Sequence, residues 1–180
     1  FRKSRRIFNL CIVFMNYYKE YIGKIDNFPI QGITYRDIQP LLANHTVFMD
    51  AIKDMGNLLE TKPDYWIALE SRGFIFASAL SMLFGGGVRL IRKKGKLGNS
   101  RLMRVDYGLE YGKDSFEMAY LPQHDLGKVV IVDDVYATGG TMKAAEGLVN
   151  GHGLEVIDKL CLMDIGIVKD HDVKCLITYG

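Results

Sequence analysis

Asp133 and Asp134 stand side by side where an apolar run, Val129–Val132, comes to its end, and Ala137-Thr138-Gly139-Gly140-Thr141 follows almost at once. Adjacent carboxylates raise each other's pKa, so packing alone gives no reason for such a pair. A loop of glycine and threonine leading into a helix offers backbone N–H groups and hydroxyls, the parts of a phosphate cradle. It is not a P-loop, because the Gly-x-x-x-x-Gly-Lys-Ser/Thr spacing is missing. The neighbouring carboxylates can accept from sugar hydroxyls or help to place a divalent cation. A phosphate cradle beside hydroxyl acceptors describes a site for ribose 5-phosphate. A plain helix cap would need one Asp or Thr rather than the whole set.

Other stretches suit a second anionic group. Ser71 and Arg72, in "ESRGF", follow a strand and open a helix, where backbone amides face an anion and the arginine fork matches phosphate oxygens. The competing reading is an ion pair between Glu70 and Arg72. The basic run Arg92-Lys93-Lys94-Gly95-Lys96 would by itself be a solvated loop, and beside two phosphate positions it becomes a clamp. Residues 97–112, "LGNSRLMRVDYGLEYG", show no clean period and are expected to form a mobile lid that excludes water. A carboxyl group desolvated under that lid, Glu110, could hold a proton near neutral pH, unless it only pairs with Lys113. Arg36 offers a flat guanidinium to stack on a flat ring, or else pairs with Asp37 in a turn.

The elements that must position these groups alternate in type. Apolar spacing predicts a helix over 46–60, capped by Asn44 or Thr46, and a helix over 73–84 closed by Gly85. A third spans 141–150 and ends at Gly151. Strands are expected at 64–70, 87–93, 115–121 and 128–134, and near 155–165 and 173–179. Such alternation, with strands apolar throughout, implies an α/β fold: a mostly parallel twisted sheet covered by helices on both faces. Ligands of these sheets bind beyond the carboxyl ends of the strands, where Asp133 and Asp134 fall.

At 180 residues the chain suits a single domain, 1–180, without repeats or low-complexity tracts. Residues 1–6 hold four basic side chains, so the formal charge of +2 leaves a nearly neutral body, unlike a general nucleic-acid binder. Cys11, Cys161 and Cys175 lack metal-ligand spacing and are expected as reduced thiols. Ile7, Phe8, Cys11, Ile12, Met15, Tyr18, Ile22 and Ile25 fall near helical spacing, which predicts an amphipathic helix rather than a signal peptide or membrane span. Residues 1–14 precede Met15 and are set apart as extraneous to function.

An apolar strand, two acidic residues and Thr-Gly-x-Thr resembles the phosphoribosyl-diphosphate (PRPP) signature of the type I phosphoribosyltransferases. "NFPIQGITYRDIQPLL", "ALESRGFIFA", "LIRKKGKLG" and "GLEYGKD" resemble adenine phosphoribosyltransferase segments in that family's order, from about Asp26 to the C-terminus. The resemblance implies a cytoplasmic, homodimeric purine-salvage enzyme that converts adenine and PRPP to AMP and pyrophosphate with Mg²⁺. It implies a type I phosphoribosyltransferase fold with a small N-terminal hood over the base at 26–42. It assigns Glu110 as catalytic acid at the purine and Asp133 and Asp134 to the ribose. The magnesium would be held mainly by PRPP, aided by those two aspartates. Ala137, Thr138, Gly139, Gly140 and Thr141 would take the 5-phosphate. Ser71, Arg72, Arg92, Lys93 and Lys96 would take pyrophosphate, with a cis peptide around Glu70-Ser71. The Thr34 backbone and Arg36 would hold the base, and Tyr111 would cover the sugar.

Two departures stand out against that resemblance. Thr34 replaces an aliphatic residue beside the expected base edge, and Tyr136 replaces a leucine, where its ring would pack on the purine or narrow the pocket. Two other readings stay open. One is a 6-oxopurine phosphoribosyltransferase in which Lys169 or Lys174 donates to the exocyclic oxygen. The other is a regulator that binds PRPP or purine without turnover. For the enzyme, neither nucleic acid nor membrane is expected as a partner.

Overall fold

The structure, a computed structural model, describes residues 16–98, 101–109, 112–121 and 126–179. Residues 1–14 and the site candidates Glu110 and Tyr111 lie outside the described residues. The chain divides into two compact units, with the boundary after Asp54.

In the first unit, helix occupies residues 16–19 and stops there. Tyr18 is buried and its hydroxyl donates to Asp54 Oδ2 at 2.6 Å. The helical spacing that ran on to Ile25 does not hold, because Gly23–Asp26 forms strand β1. It pairs antiparallel with β2 (Thr34–Asp37), setting Ile25 opposite Tyr35. Cross-strand pairing overrides a weak local period. Two helices follow, α1 (Gln39–Ala43), with a proline in its first turn, and α2 (His45–Asn57), whose end belongs to the second unit. Asn44 caps α2, accepting from the Val47 N–H at 3.2 Å.

The second unit is built on a seven-stranded sheet. In chain order its elements are β3 (Tyr65–Leu69), α3 (Gly73–Phe84), β4 (Gly87–Lys93), β5 (Leu102–Leu109), β6 (Gly112–Ala119), β7 (Lys128–Tyr136), α4 (Gly140–Gly151), β8 (Glu155–Asp164) and β9 (Lys174–Thr178). Across the sheet the order is β5-β6-β4-β3-β7-β8-β9. The five strands from β4 to β9 run parallel, and β6 and β5 add an antiparallel edge. The mostly parallel sheet read from the sequence is therefore present.

Alternation along the strands sends side chains to opposite faces. Ile67, Leu69, Ile91, Val129 and Ile131 meet Met142, Ala145, Leu148 and Val149 of α4 in one core cluster. Trp66, Ala68, Val130 and Val132 point the other way, the face on which α3 contributes Phe76, Ala77 and Leu80. Val129 to Val132 are all fully buried. Each such side chain contributes roughly 1.5–3 kcal/mol by leaving water, which fixes β7 firmly beneath the aspartates it carries.

Residues 97–112, read as an aperiodic lid, include strand β5 from Leu102 to Leu109, hydrogen-bonded along β6. Met103 and Val105 pack on the core while Arg104 and Asp106 are exposed, a short alternation that marks a half-buried strand.

Candidate functional site

Strand β7 does not end at Asp134 but continues to Tyr136. Its pairing with β3 stops at Val132 opposite Ala68, whereas its pairing with β8 runs on through Asp133 and Tyr136. From Asp133 onward, β7 is thus unpaired on the β3 side. The two strands part at their carboxyl ends, the place where open α/β sheets bind ligands.

The gap forms a cleft of about 450 Å³ lined by Glu70, Ser71, Arg72, Lys93, Asp133, Asp134 and Thr141, with Phe116 and Val135 completing its walls. Six residues chosen from sequence (Ser71, Arg72, Lys93, Asp133, Asp134 and Thr141) therefore share one cavity. The loop between β3 and α3 contains the cis peptide Glu70-Ser71. Gly73 opens α3 directly against β7, since a Cβ there would lie 2.6 Å from the Val132 carbonyl oxygen. This close approach holds the Ser71-Arg72 loop beside the aspartates.

Arg72 Nε lies 2.8 Å from the buried Asp134 Oδ2, an ion pair off the line of a hydrogen bond. Arg72 therefore faces Asp134, not Glu70 as the competing reading had it. Burial, and then the charge of Asp134, push the Asp133 carboxyl well above its ordinary value of 3.8. Burial raises Asp134 too, with Arg72 opposing. A pair of carboxylates kept so close, at a cost in ionisation, suits a site that meets hydroxyl donors or a cation.

The basic run divides in two. Lys93 lines the cleft, but Arg92 and Lys96 do not. Arg92 is gripped by Glu70 instead, through Nε to Oε2 at 3.3 Å and a terminal nitrogen to Oε1 at 3.1 Å. Its other terminal nitrogen donates to the Lys96 carbonyl at 3.0 Å. Glu70 also accepts from the Lys93 N–H at 2.8 Å. Burial disfavours the Glu70 charge, yet Arg92 and this amide outweigh it and hold the carboxyl below its ordinary value. Glu70 and Arg92 thus shape the loop that presents Lys93, a role the sequence reading did not assign to Glu70.

Gly139 caps α4 in the left-handed region, with φ at 81°, and being glycine brings no side-chain cap to the helix start. The first N–H groups of a helix have no partner within it, and its dipole favours an anion there. A recess of about 50 Å³ opens at this point, lined by Ala137, Thr138, Gly139, Thr141 and neighbours including Asp133 and Tyr136. Tyr136 is buried, tilted against His171 with ring centres 4.3 Å apart. Its hydroxyl lies 2.7 Å from where a Gly139 Cβ would stand, so the ring props the loop from within.

Thr34 and Arg36 sit on β2 in the first unit. The Thr34 hydroxyl donates to Asp26 Oδ1 at 2.8 Å. Asp37 accepts from the Gln39 N–H at 3.0 Å, bracing the chain as it enters α1. Lys174, one donor considered for an oxopurine, is at the amino end of β9 and pairs with Asp158 at 2.6 Å. Lys169 is exposed on the preceding loop.

Residues 37–179 match the phosphoribosyl transferase domain family. An adenine phosphoribosyltransferase of Hydrogenovibrio crunogenus is 44% identical over 151 residues, covering 81% of this chain and 84% of that protein. One from Petrotoga mobilis is 40% identical over 169 residues, covering 89% and 96%. Among solved structures, the adenine phosphoribosyltransferase of Thermoanaerobacter pseudethanolicus superposes with a TM-score of 0.81 at 34% identity, covering 91% of this chain and 99% of that one. The Saccharomyces cerevisiae enzyme, complexed with an imino-altritol bisphosphate and adenine, gives 0.80 at 30% identity, covering 92% and 99%.

Proposed function

The chain belongs to the phosphoribosyl transferase family, among the adenine phosphoribosyltransferases, and from that premise we infer how its residues divide the reaction of adenine with PRPP. It is an enzyme of purine salvage, and the products are AMP and pyrophosphate. The observation that carries the division of roles is the parting of β3 and β7, which sets Ser71, Arg72 and Lys93 across one cleft from Asp133, Asp134 and Thr141.

The 5-phosphate of PRPP sits in the recess of Ala137 to Thr141 at the head of α4, where the amides meet it. Asp133 and Asp134 accept from the ribose hydroxyls. Ser71, Arg72 and Lys93 receive the diphosphate, whose charge grows as the bond to C1 breaks, and Arg92 and Lys96 hold the loop that carries Lys93. Glu110 donates a hydrogen bond to the purine at the transition state, Tyr111 covers the sugar, and the Thr34 backbone and Arg36 hold the base. These last assignments rest on the match of "LEYGK" and "ITYRD" to the family pattern.

Magnesium fits as a companion of PRPP rather than as a resident ion. The described residues contain no group of three or more His, Cys, Asp or Glu side chains arranged to hold a metal, and Asp134 is already engaged by Arg72. Bound to PRPP oxygens, Mg²⁺ would offset the leaving diphosphate charge. Asp133 and Asp134 are the residues that would help to hold it.

A homodimer would cover the exposed apolar side chains of α3 and β4, Ile75, Met82, Leu83, Val88 and Leu90, of which Met82 is exposed to 89%. Among the described residues no helix is long and apolar enough to cross a membrane, and Cys161 and Cys175 are free thiols, which suits the cytoplasm we assign. The test of the ribose site is calorimetry of Mg–PRPP binding to Asp133→Asn and Asp134→Asn. Weakened binding is expected, and unchanged binding would remove both from the site.

A further inference from the structure

Glu117 is a buried carboxylate that none of these roles uses. It lies on β6 between Phe116 and Met118, which face the core, so alternation points it to the other face of an antiparallel edge. Such a face is commonly solvated, yet Glu117 is only 1% exposed. In register it stands between Arg92 on β4 and Arg104 on β5. Arg92 turns to Glu70, leaving the Glu117 carboxylate to two other elements. Oε2 accepts from the Gly95 N–H at 2.9 Å, inside the basic run. Oε1 accepts from Arg104 Nε at 2.9 Å and from a terminal nitrogen of the same guanidinium.

We propose that Glu117 is a positioning residue that joins the diphosphate loop to strand β5, so that the two hold one relative pose. A buried carboxylate is costly unless bonded, and here its two oxygens are bonded to two different elements. The Gly95 amide foremost, with Arg104 helping, outweighs burial and keeps the carboxyl ionised below its ordinary range. Strand β5 leads in sequence toward Glu110, so its placement bears on the chemical step, and the Gly95 amide bears on PRPP. The proposal rests on reading Lys93–Lys96 as the diphosphate side of the site.

The test compares wild type with Glu117→Gln, Glu117→Ala and Arg104→Met by Mg–PRPP calorimetry, AMP formation and hydrogen exchange at residues 94–96. Glutamine keeps an acceptor for Gly95 but turns its own NH₂ toward the Arg104 donors. Glu117→Gln and Arg104→Met should therefore leave PRPP affinity within about twofold and lower kcat about tenfold, the loss of one charged hydrogen bond. Glu117→Ala should also weaken PRPP about tenfold and speed exchange at 94–96. Arg104 is half exposed, so its variant is expected to fold even where a Glu117 variant does not. A lowered Tm with Kd and kcat unchanged in all three would mean packing alone and overturn the proposal. A wild type that binds PRPP yet makes no AMP would sink the adenine reading, while affinity and exchange would still decide the role of Glu117.

Discussion

Replacing Gly73 by alanine tests whether the contact between α3 and β7 sets the site. A Cβ at Gly73 would stand 2.6 Å from the Val132 carbonyl oxygen, 3.2 Å from Asp133 Oδ1 and 3.3 Å from Asp133 Cα, against the 3.4 Å at which ordinary contact begins. Two of these three atoms belong to the backbone of β7, anchored by the fully buried Val129 to Val132, so they cannot swing aside as a side chain would. The helix must lift from the strand by several tenths of an ångström. Overpacking of this kind costs about 1–3 kcal/mol. Alanine returns about 0.4–1 kcal/mol through lower unfolded-state entropy, so a net loss of Tm is expected. Ser71 and Arg72 immediately precede Gly73 and move with it, away from Asp133 and Asp134. A misplacement near 1 Å costs about a hundredfold in rate, so this smaller shift should lower kcat/KM for PRPP on the order of tenfold. Initial rates of AMP formation at saturating adenine, with thermal unfolding in parallel, give both quantities. A Gly73→Ala enzyme with wild-type kcat/KM and Tm would refute the reasoning, because the backbones would then not be in tight contact.

Two further predictions concern the loop and the carboxylates. Gly139→Ala places a side chain in the left-handed region, a cost of about 1–2 kcal/mol, against the Tyr136 hydroxyl at 2.7 Å, so PRPP should bind at least about tenfold more weakly by calorimetry. Adding Tyr136→Phe should restore part of that loss, and a double variant no better than the single would show that the hydroxyl does not crowd the loop. Asp133→Asn should raise Tm at pH 7. The folded-state pKa of Asp133 lies above the ordinary 3.8, so the folded protein binds more protons in that window and stability falls as pH rises through it. The gain from asparagine should shrink as pH is lowered toward 3.8, and a gain that instead grows in acid would contradict the shift.

Much of this was legible in the sequence, for identifiable reasons. Two aspartates directly after the apolar run Val129 to Val132 are conspicuous because nothing in packing calls for them, and the parting of β3 from β7 gives them a cleft. The helices α3 and α4 carry their own periodicity and stops. Strand β5 was missed because its alternation, Met103 and Val105 against Arg104 and Asp106, is short and flanked by glycines. The pairing of Glu70 with Arg92 joins residues twenty-two apart across strand ends, and local reading favoured the nearer Arg72. Glu117 was invisible for a related reason: as the polar member of an alternating strand it reads as solvated, and only Gly95 and Arg104, brought in by the sheet, make it buried. Tyr136 was expected at the purine or in the pocket wall, and its partner His171 comes from a loop beyond β8 that carried no signal of its own.

The most direct measurement is product formation from Mg–PRPP with adenine, hypoxanthine, guanine and xanthine assayed in parallel. AMP from adenine, with no turnover of the oxopurines, is the expected result, consistent with Lys174 being committed to Asp158 and the Thr34 hydroxyl to Asp26. Turnover of an oxopurine in preference to adenine, or PRPP binding with no product from any base, would contradict it.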